Sequence, residues 1–348
     1  MPAHPLEDAL AQIALDTYHE LGKNLSATAR KLGVSRQAMQ NRLRRARQRR
    51  LTPTPFTIKP LPDENLPVEA IIDRRIQQFA QRRKAEESRR IIPVKINIDG
   101  PIGISHFGDP HLDDDGTDLG KVERDMRNVN SVEGMFAANI GDGINAWVGR
   151  LARLYAEQST SEAEAIALYE WFLRSMKWLY CIGGNHLAWH GGMGVALHKW
   201  ILGNCAGLFD NSQVRLELQF PNGRKVRVNA RHDFAGHSMW NTVHGALKAA
   251  TMGWRDHVLT CGHTHVSGYA LAKDPASGLI SHIFRLSSYK TFDRFAKEKG
   301  LPNQDIFCNA VTIIDPRYDD DDPRLVHACF DPEQGADYLR WLRSRKTA

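Results

Sequence analysis

Apolar residues recur at helical spacing through the first 50 residues of the chain. The first pattern stops at Gly22, a common helix end, and consists of Leu6, Leu10, Ile13, Thr17 and Leu21. Ser26 can cap a short second helix that ends at Gly33, and Ser35 can cap a third. The pattern therefore predicts three helices in a small N-terminal domain at residues 1–50.

The third predicted helix has one apolar face and one basic, polar face. Met39, Leu43 and Ala46 share the apolar face. Five residues that can contact base edges or phosphates are expected to point outward: Arg36, Gln37, Gln40, Asn41 and Arg44. Two helices joined by a short turn that contains Gly have the geometry that places side chains in a major groove of DNA.

Positive charge is concentrated in the same region. The segment Lys23–Arg50 contains ten Lys or Arg residues and no Asp or Glu, whereas the whole chain carries a formal net charge of +6. Such a charge run is commonly a solvated tail, but the helical periodicity argues against that interpretation. The stretch SATARKLGVSRQAMQNRLRRA resembles bacterial helix-turn-helix domains, which implies DNA as a partner. A small helical interaction module is the alternative.

A proline-rich stretch and a charged helical stretch follow this domain. Five prolines within residues 52–67 indicate a stiff linker, and residues 69–90 have a charged helical pattern. The apolar stripe of that pattern, which we expect to pack on a neighbouring surface, consists of Ile71, Ile72, Ile76 and Phe79. We therefore expect a linker with a charged helix at residues 51–90 and a large domain at residues 91–348.

From Ile91 onward, short apolar runs alternate with helical patterns, and several runs end in residues of metal-binding types. The stretch SHFGDPHLDDDG follows the apolar run Pro101–Ile104 and contains Asp109 and His111. Because one residue separates these two, a loop that leaves a strand can turn both toward one ion. We expect the carboxylates Asp113 to Asp115 to form a solvated loop.

Four further apolar runs end in the same way. The runs and the residues that follow them are Gly134–Ile140 with Asp142, Trp178–Ile182 with Asn185 and His186, the hairpin of Val214–Phe220 and Lys225–Ala230 with His232, and His257–Cys261 with His263 and His265. A single His at a strand end is commonly an inert hydrogen-bonding group. Mixed oxygen and nitrogen donors, however, suit Mn²⁺, Fe or Zn²⁺ and do not suit Ca²⁺ or Mg²⁺.

The order D-x-H, G-D, G-N-H, H and G-H-x-H over residues 102–266 resembles the calcineurin-like metallophosphoesterase superfamily. The resemblance implies an α/β (α+β) fold, a sandwich of two mixed β-sheets flanked by helices, with two divalent metal ions at the strand ends. Manganese is favoured over iron or zinc. The ligands implied for the first ion are Asp109, His111, Asp142 and His265. Those implied for the second are Asp142, Asn185, His232 and His263, with His237 as a rival for His232.

The resemblance also implies how such a site acts. A metal-bound hydroxide would be the nucleophile, so no Ser or Cys nucleophile is needed. His186 matches the histidine that contacts the phosphate and protonates the leaving oxygen. Many members carry acids where this chain has Asn145 and Leu187, and we expect the Asn145 side-chain carbonyl to accept from His186 instead. Ala146 stands where the superfamily's protein phosphatases carry Arg, which disfavours a phosphoprotein substrate.

Composition limits the remaining possibilities. No apolar stretch approaches the length of a membrane span, and the N-terminus lacks the features of a secretory signal, so we expect a cytoplasmic protein without a membrane partner. Five scattered cysteines without a C-x-x-C pair are expected to be free thiols. Tyr289 and Lys290 are further candidates for contact with phosphate.

Together these features predict a metal-dependent phosphoric ester hydrolase. The most specific form of the hypothesis is a two-metal phosphodiesterase or nuclease that acts on nucleic acid and binds DNA through its N-terminal domain. A phosphomonoesterase or a nucleotide phosphodiesterase is the alternative with the same chemistry. A DNA-binding regulator with a sensor-like phosphoesterase domain is the alternative from another class.

Overall fold

The chain divides into two units, Met1–Gln77 and Gln78–Ala348, in this computed structural model of the protein. The structure describes residues 5–56, 65–189, 207–292 and 305–345, together with residues 297 and 300. Among the helices of these residues, none has the length and apolar character needed to cross a membrane.

Three helices form a small helical region at the start of the chain, as predicted. They are α1 (Pro5–Glu20), α2 (Leu25–Lys31) and α3 (Arg36–Gln48). The Asn24 side chain accepts a hydrogen bond from Ala27 N at 3.0 Å, and Ser35 Oγ accepts one from Ala38 N at 3.1 Å. The predicted cap of α3 is therefore confirmed. The cap of α2 is Asn24 rather than Ser26, because the helix begins two residues earlier than the pattern indicated.

A small apolar core joins these three helices. Ala14, Ala29 and Met39 are buried at its centre. The predicted stripe of α1 is partly wrong, since Leu6 and Ile13 are 72% and 49% exposed. The face of α1 that packs on its neighbours is formed by small residues, which hydrophobic periodicity weights too lightly to identify.

The next helix, α4 (Val68–Arg89), carries an exposed apolar stripe. Ile72, Ile76 and Phe79 are 51%, 61% and 68% exposed. The prediction that this stripe packs on a neighbouring surface is therefore wrong for the described residues. Residues 57–64 of the predicted proline-rich linker lie outside them.

Two mixed sheets of six strands each form the second unit, which confirms the predicted fold class. The first sheet has the order β1 (Ile92–Lys95), β6 (Gln213–Gln219), β7 (Lys225–Arg231), β8 (Val258–Cys261), β10 (Ile280–Arg285), β9 (Gly268–Lys273). The second has the order β12 (Val326–Cys329), β11 (Asn309–Ile314), β2 (Ile102–Phe107), β3 (Met135–Asn139), β4 (Trp178–Ile182), β5 (Leu208–Asp210). The predicted hairpin is the antiparallel pair β6 and β7.

The second unit also contains helices between and after the strands. They are α5 (Leu119–Asn130), α6 (Glu162–Arg174), α7 (Gly184–Trp189), α8 (His244–Ala249) and α9 (Pro332–Ser344), with a 3₁₀ helix at Gly149–Glu157 and a π-helix at Ala250–Trp254. Apolar residues of α5, α6 and α9 share a buried cluster with the second sheet, and α8 shares one with the first.

An apolar core lies between the two sheets. Ile102 and Ile104 of the second sheet and Leu216, Val228 and Phe284 of the first are fully buried there. Alternation along each strand sends one set of side chains into this core and the other set to the opposite face. The four described cysteines are buried free thiols, as predicted, and the fifth, Cys205, lies outside the described residues.

Strand direction determines where the polar loops meet. β2, β3, β4 and β5 are parallel to one another, and in the other sheet β7, β8 and β10 are parallel. Parallel strands have their carboxyl ends at a common edge, which is where open α/β sheets place their ligands. The loops after β2, β3 and β4 therefore leave the second sheet together.

Candidate metal centre

Loops at the carboxyl ends of five strands bring all seven predicted metal-ligand residues into one cluster. Asp109 and His111 follow β2, Asp142 follows β3, and Asn185 lies in α7 directly after β4. From the other sheet, His232 follows β7, and the pair His263 and His265 follows β8. The two sheets thus contribute to one polar centre at the edge of the sandwich.

One half of the cluster is organised around His232. Its Nε2 lies 2.7 Å from Asn185 Oδ1, 3.1 Å from Asp142 Oδ2 and 3.1 Å from His263 Nδ1. Its Nδ1 faces the backbone carbonyl of Ile140 at 3.0 Å, and a carbonyl only accepts. Nδ1 is therefore a donor, and Nε2 is the ring nitrogen that could bind a metal ion in exchange for its proton.

The other half contains His111, His265 and Asp109. The Nε2 atoms of His111 and His265 are 3.2 Å apart, and His265 Nε2 lies 3.6 Å from Asp109 Oδ2. A third imidazole adjoins them, because donor atoms of His111, Asp142 and His186 all lie within 4.8 Å of one another. The same holds for Asp142, His232 and His263, so Asp142 belongs to both groups.

Four residues of the cluster have a left-handed backbone. The φ angles of His111, Asp142, His263 and His265 are +42°, +46°, +71° and +53°. This conformation costs a residue other than glycine about 1–2 kcal/mol. Such strain persists only where surrounding contacts impose it, and it is concentrated at functional sites.

Two glycines allow the loops to approach this closely. A Cβ on Gly184 (φ +81°) would lie 2.1 Å from Asp142 Oδ1, and one on Gly141 (φ +134°) would lie 2.2 Å from His232 Nδ1. Both distances are far below contact distance. The glycines of the G-D and G-N-H motifs are thus required by space as well as by backbone angle.

The charges of the cluster suit a cation. Burial raises the pKa of Asp109 above its ordinary value and lowers that of His111 well below it. Burial also opposes charge on His232, yet the adjacent Asp142 raises the pKa of its imidazole to about 9. Two buried carboxylates are thus held beside one imidazolium and several neutral imidazoles, which is an arrangement that a divalent ion would neutralise.

Unpartnered buried atoms test whether a metal fits. Asp109 Oδ1 and His111 Nδ1 are buried without a hydrogen-bond partner among the described residues. Buried polar atoms are rarely left so, and an ion is one explanation. Imidazole nitrogens that face each other at 3.1 and 3.2 Å are likewise better satisfied by an ion between them. The donor set of carboxylate, amide and imidazole fits a transition metal.

The candidate acid His186 is held through the backbone. Its Nδ1 contacts the backbone carbonyl oxygen of Asn145, and its Nε2 lies 3.9 Å from Asp142 Oδ2. The expected contact with the Asn145 side chain is wrong, because Asn145 Nδ2 donates to Asp114 at 3.1 Å and Oδ1 has no hydrogen-bond partner in the described part of the chain. Asp113 Oδ1 accepts from Asn145 N at 2.7 Å and so orients this turn.

Asp113 and Asp114 are structural, which corrects the expectation of a solvated loop for these two residues, whereas Asp115 is exposed as expected. Asp113 is fully buried and accepts from Gln158 Nε2 at 3.2 Å, while burial raises its pKa. Asp114 forms an ion pair with Lys290 Nζ at 2.9 Å. Tyr289, the other candidate for phosphate contact, is buried and donates to Asp125 at 2.8 Å.

Two further residues near the cluster are His237, which lies outside it, and Arg285, which supports one of its loops. His237, the rival of His232, is 66% exposed at its side chain and lies 3.6 Å from Asp233, outside the cluster. Arg285 is buried and was missed by sequence reasoning. It donates to Gly262 O and Thr264 Oγ1, both at 2.8 Å, and so fixes the loop that carries His263. An Arg within an apolar strand was the signal that could have found it.

No family model and no curated protein matches the chain. Among solved structures, the chain is similar to Haemophilus influenzae NAD nucleotidase, with a TM-score of 0.38 and 10% sequence identity. The similarity covers 66% of this chain and 49% of that one, so the chain spans about half the length of the structure it matches. A likeness this distant assigns no activity to the chain.

Proposed function

We propose that the second unit is a metal-dependent phosphoesterase, and more specifically a two-metal phosphodiesterase that acts on nucleic acid. The observation that carries this proposal is the convergence of seven oxygen and nitrogen donor residues from five loops, with Asp142 in both candidate metal groups. A carboxylate that belongs to two sets of imidazole donors could serve two adjacent divalent ions.

The donor residues divide into two sets under this proposal. Asp109, His111, Asp142 and His265 would hold one ion, and the second set is Asp142, Asn185, His232 and His263. The 3.2 Å contact between His111 and His265 supports the first set, and the contacts of His232 support the second. When bound, two such ions neutralise phosphate oxygens and activate water for in-line displacement.

His186 is the residue we assign to the leaving oxygen. Its Nδ1 donates to the carbonyl of Asn145, so the ring is oriented with Nε2 toward the cluster. In the neutral ring this leaves Nε2 without a proton, and only the imidazolium can donate one there. Burial lowers the pKa of His186, and Asp142 opposes that shift. A bound phosphate would favour the protonated ring in the same way.

The N-terminal helices are the proposed DNA-binding element. The five candidate residues Arg36, Gln37, Gln40, Asn41 and Arg44 are all exposed on α3, while Met39 on the opposite face is buried. This arrangement supports recognition of a groove by one helix face. The double variant Arg36→Gln, Arg44→Gln should weaken duplex binding and reduce its salt dependence, whereas the double variant Arg30→Gln, Lys31→Gln, at two exposed positions of α2, is the charge-matched control. Equal binding by both variants would contradict the assignment.

A metal-dependence assay tests the phosphoesterase proposal directly. Protein stripped with a chelator should fail to hydrolyse bis(4-nitrophenyl) phosphate and a DNA oligonucleotide, and Mn²⁺ should restore both activities. His237→Gln, an exposed imidazole outside the cluster, is the matched control and should behave as wild type. Turnover of monoesters alone would favour the phosphomonoesterase alternative. Metal-loaded protein that hydrolyses no ester would contradict the proposal and favour the regulator.

A further inference from the structure

A second polar region of the large unit lies on the outer face of β6 and β7. Val226 and Val228 of β7 point into the core between the sheets, so the alternate residues Arg227, Asn229 and Arg231 point to the other face. Arg215 of β6 is the cross-strand neighbour of Asn229 and joins them. None of these residues is used by the chemistry proposed for the metal centre.

Among the described residues, two carboxylates lie beside the three arginines of this face: Glu217, the cross-strand neighbour of Arg227, forms an ion pair with Lys225, and Asp256 pairs with the arginines themselves. Asp256 is fully buried and accepts two hydrogen bonds from Arg215 at 2.8 Å and one from Asn229 Nδ2 at 3.0 Å. Arg227 Nε lies 3.1 Å from Asp256 Oδ1. Arg231 is left with a 3.4 Å contact from Nε to Asn229 Oδ1 and, among the described residues, no carboxylate.

Aromatic rings hold the guanidinium of Arg231 in place. Its Cζ lies 4.9 Å from the ring centroid of Trp254 and 5.1 Å from that of Phe234. Arg215 also lies 4.9 Å from Trp254. Cation–π contact of this kind holds a guanidinium in place and leaves its outer N–H groups available to a ligand.

Arg215, Asn229, Arg231 and Trp254 line a cleft of about 730 Å³, which is within the usual size range of ligand sites. Asn211 and Ser212 of the turn between β5 and β6, and Gln213 at the start of β6, also line the cleft, and their side chains have no hydrogen-bond partner among the described residues. The C-terminal end of α4 forms the opposite wall. Of the acidic residues there, Asp210 pairs with Arg89 and Glu87 lies 3.7 Å from Arg83, which leaves Glu86 as the remaining negative charge.

The cleft adjoins the candidate metal centre through the backbone. Ser212 O accepts a hydrogen bond from His232 N, and Asn211 O accepts one from Gly184 N, both at 3.0 Å. Arg231 directly precedes His232 in the chain. At one end of the cleft, Arg231 is the residue next to the proposed ligand His232. The cleft itself lies on the outer face of the sheet, on the side of Arg215 and Asn229. A ligand that occupies both places must be extended.

We propose that this cleft binds a phosphate of a polynucleotide strand whose neighbouring phosphodiester lies at the metal centre. The inference rests on the proposed function and names the substrate class as a polynucleotide rather than a mononucleotide. Arg231 presents a planar fork that matches phosphate oxygens, and the hydroxyl and amides of the β5–β6 turn supply further donors. A strand is extended and carries anionic groups at regular intervals, as the separation of cleft and centre requires.

Two single substitutions test the cleft. Arg231→Gln removes the guanidinium, and Gln213→Glu places a carboxylate beside it, because Gln213 is the cross-strand neighbour of Arg231. We expect each to lower the ratio of kcat/KM for a single-stranded oligonucleotide to kcat/KM for bis(4-nitrophenyl) phosphate by about tenfold. Arg340→Gln on α9, an exposed arginine away from both sites, is the charge-matched control for Arg231→Gln and should leave the ratio unchanged.

Binding without metal separates this inference from the proposed function. In the presence of a chelator, Arg231→Gln should weaken binding of a labelled single-stranded oligonucleotide about tenfold and reduce the salt slope by about one. This result supports the cleft even if no ester is hydrolysed. An unchanged affinity and an unchanged substrate ratio in both variants, with wild-type metal content, would overturn the inference and leave the phosphoesterase proposal standing.

Discussion

Two buried histidines of the same chain have opposite surroundings. His106 lies in β2, fully buried, with Nδ1 at 2.9 Å from Tyr180 Oη and Nε2 at 3.0 Å from Thr312 Oγ1. His232 is almost as buried, at 7% exposure, but lies against Asp142 at the sheet edge. Burial lowers the pKa of His106 to about 3, whereas Asp142 outweighs burial and raises that of His232 to about 9.

The difference shows that burial alone does not distinguish a structural histidine from a candidate ligand. Each ring nitrogen of His106 has one neutral hydroxyl partner, so the ring is satisfied and needs no charge. Nε2 of His232 faces an amide oxygen, a carboxylate and another imidazole at once. A single proton on Nε2 cannot be shared well among these three groups, whereas a bound cation could interact with all of them.

The largest effect should come from removing the carboxylate of Asp142, which lies beside His232 and belongs to both candidate metal groups. Asp142→Asn leaves both candidate metal groups one anionic ligand short, so we expect kcat to fall at least about 10³-fold and most bound metal to be lost. Elemental analysis and turnover of bis(4-nitrophenyl) phosphate measure both effects. A variant that keeps two ions and its activity would show that Asp142 is not the bridge. His237→Gln is the control.

A smaller loss is expected from His186→Gln, which removes the candidate proton donor. General acid catalysis contributes about 10²–10⁴-fold, so kcat should fall about 10²-fold for a substrate with a poor leaving group. The fall should be much smaller for 4-nitrophenolate, which needs little protonation to leave. Metal content decides the role, because His186 also lies in a candidate metal group. Loss of one ion in the variant would make His186 a ligand instead.

The neutral state of the buried His106 imidazole can be tested by measuring how stability changes in acid. His106 is unprotonated in the folded protein down to about pH 3 but takes up a proton near pH 6.5 when unfolded. The unfolded state then binds more protons, so the free energy of unfolding falls as pH is lowered through this window. Between pH 6.5 and 5 the loss should be about 2 kcal/mol. Urea titrations of His106→Gln should lack this component, and an identical pH dependence would contradict the buried, neutral assignment.

Strand ends and their polar residues could be predicted from the sequence because both signals are local. Alternating runs and the Pro-Asn-Gly turn identified the β6–β7 hairpin, and Gly-rich strand ends identified Asp142, Asn185 and the histidines that the structure brings together. Their roles as metal ligands stay a prediction. The burial of Asp113 could not be predicted, because its partner Gln158 lies 45 residues away and belongs to no motif.

The arginine cleft was also missed for a physical reason. In sequence, Arg215, Arg227 and Arg231 look like the solvated polar positions of an amphipathic hairpin. Only tertiary packing places Asp256 and Trp254 against them and leaves the Arg231 guanidinium without an ion pair among the described residues. Similarly, the direction of the Asn145 side chain depends on Asp114, which is 31 residues away.

The smallest effect should come from Asn145→Ala, which distinguishes the backbone contact from the expected side-chain contact. His186 Nδ1 reaches the Asn145 carbonyl oxygen, which alanine retains, while the lost side chain bonds to Asp114 and Gln158. The turn keeps its 2.7 Å hydrogen bond from residue 145 N to Asp113. We therefore expect kcat to change by less than about threefold, since a surviving contact costs little free energy. The pH dependence of kcat should be unchanged. A fall as large as that of His186→Gln would mean that the amide itself orients the imidazole during turnover.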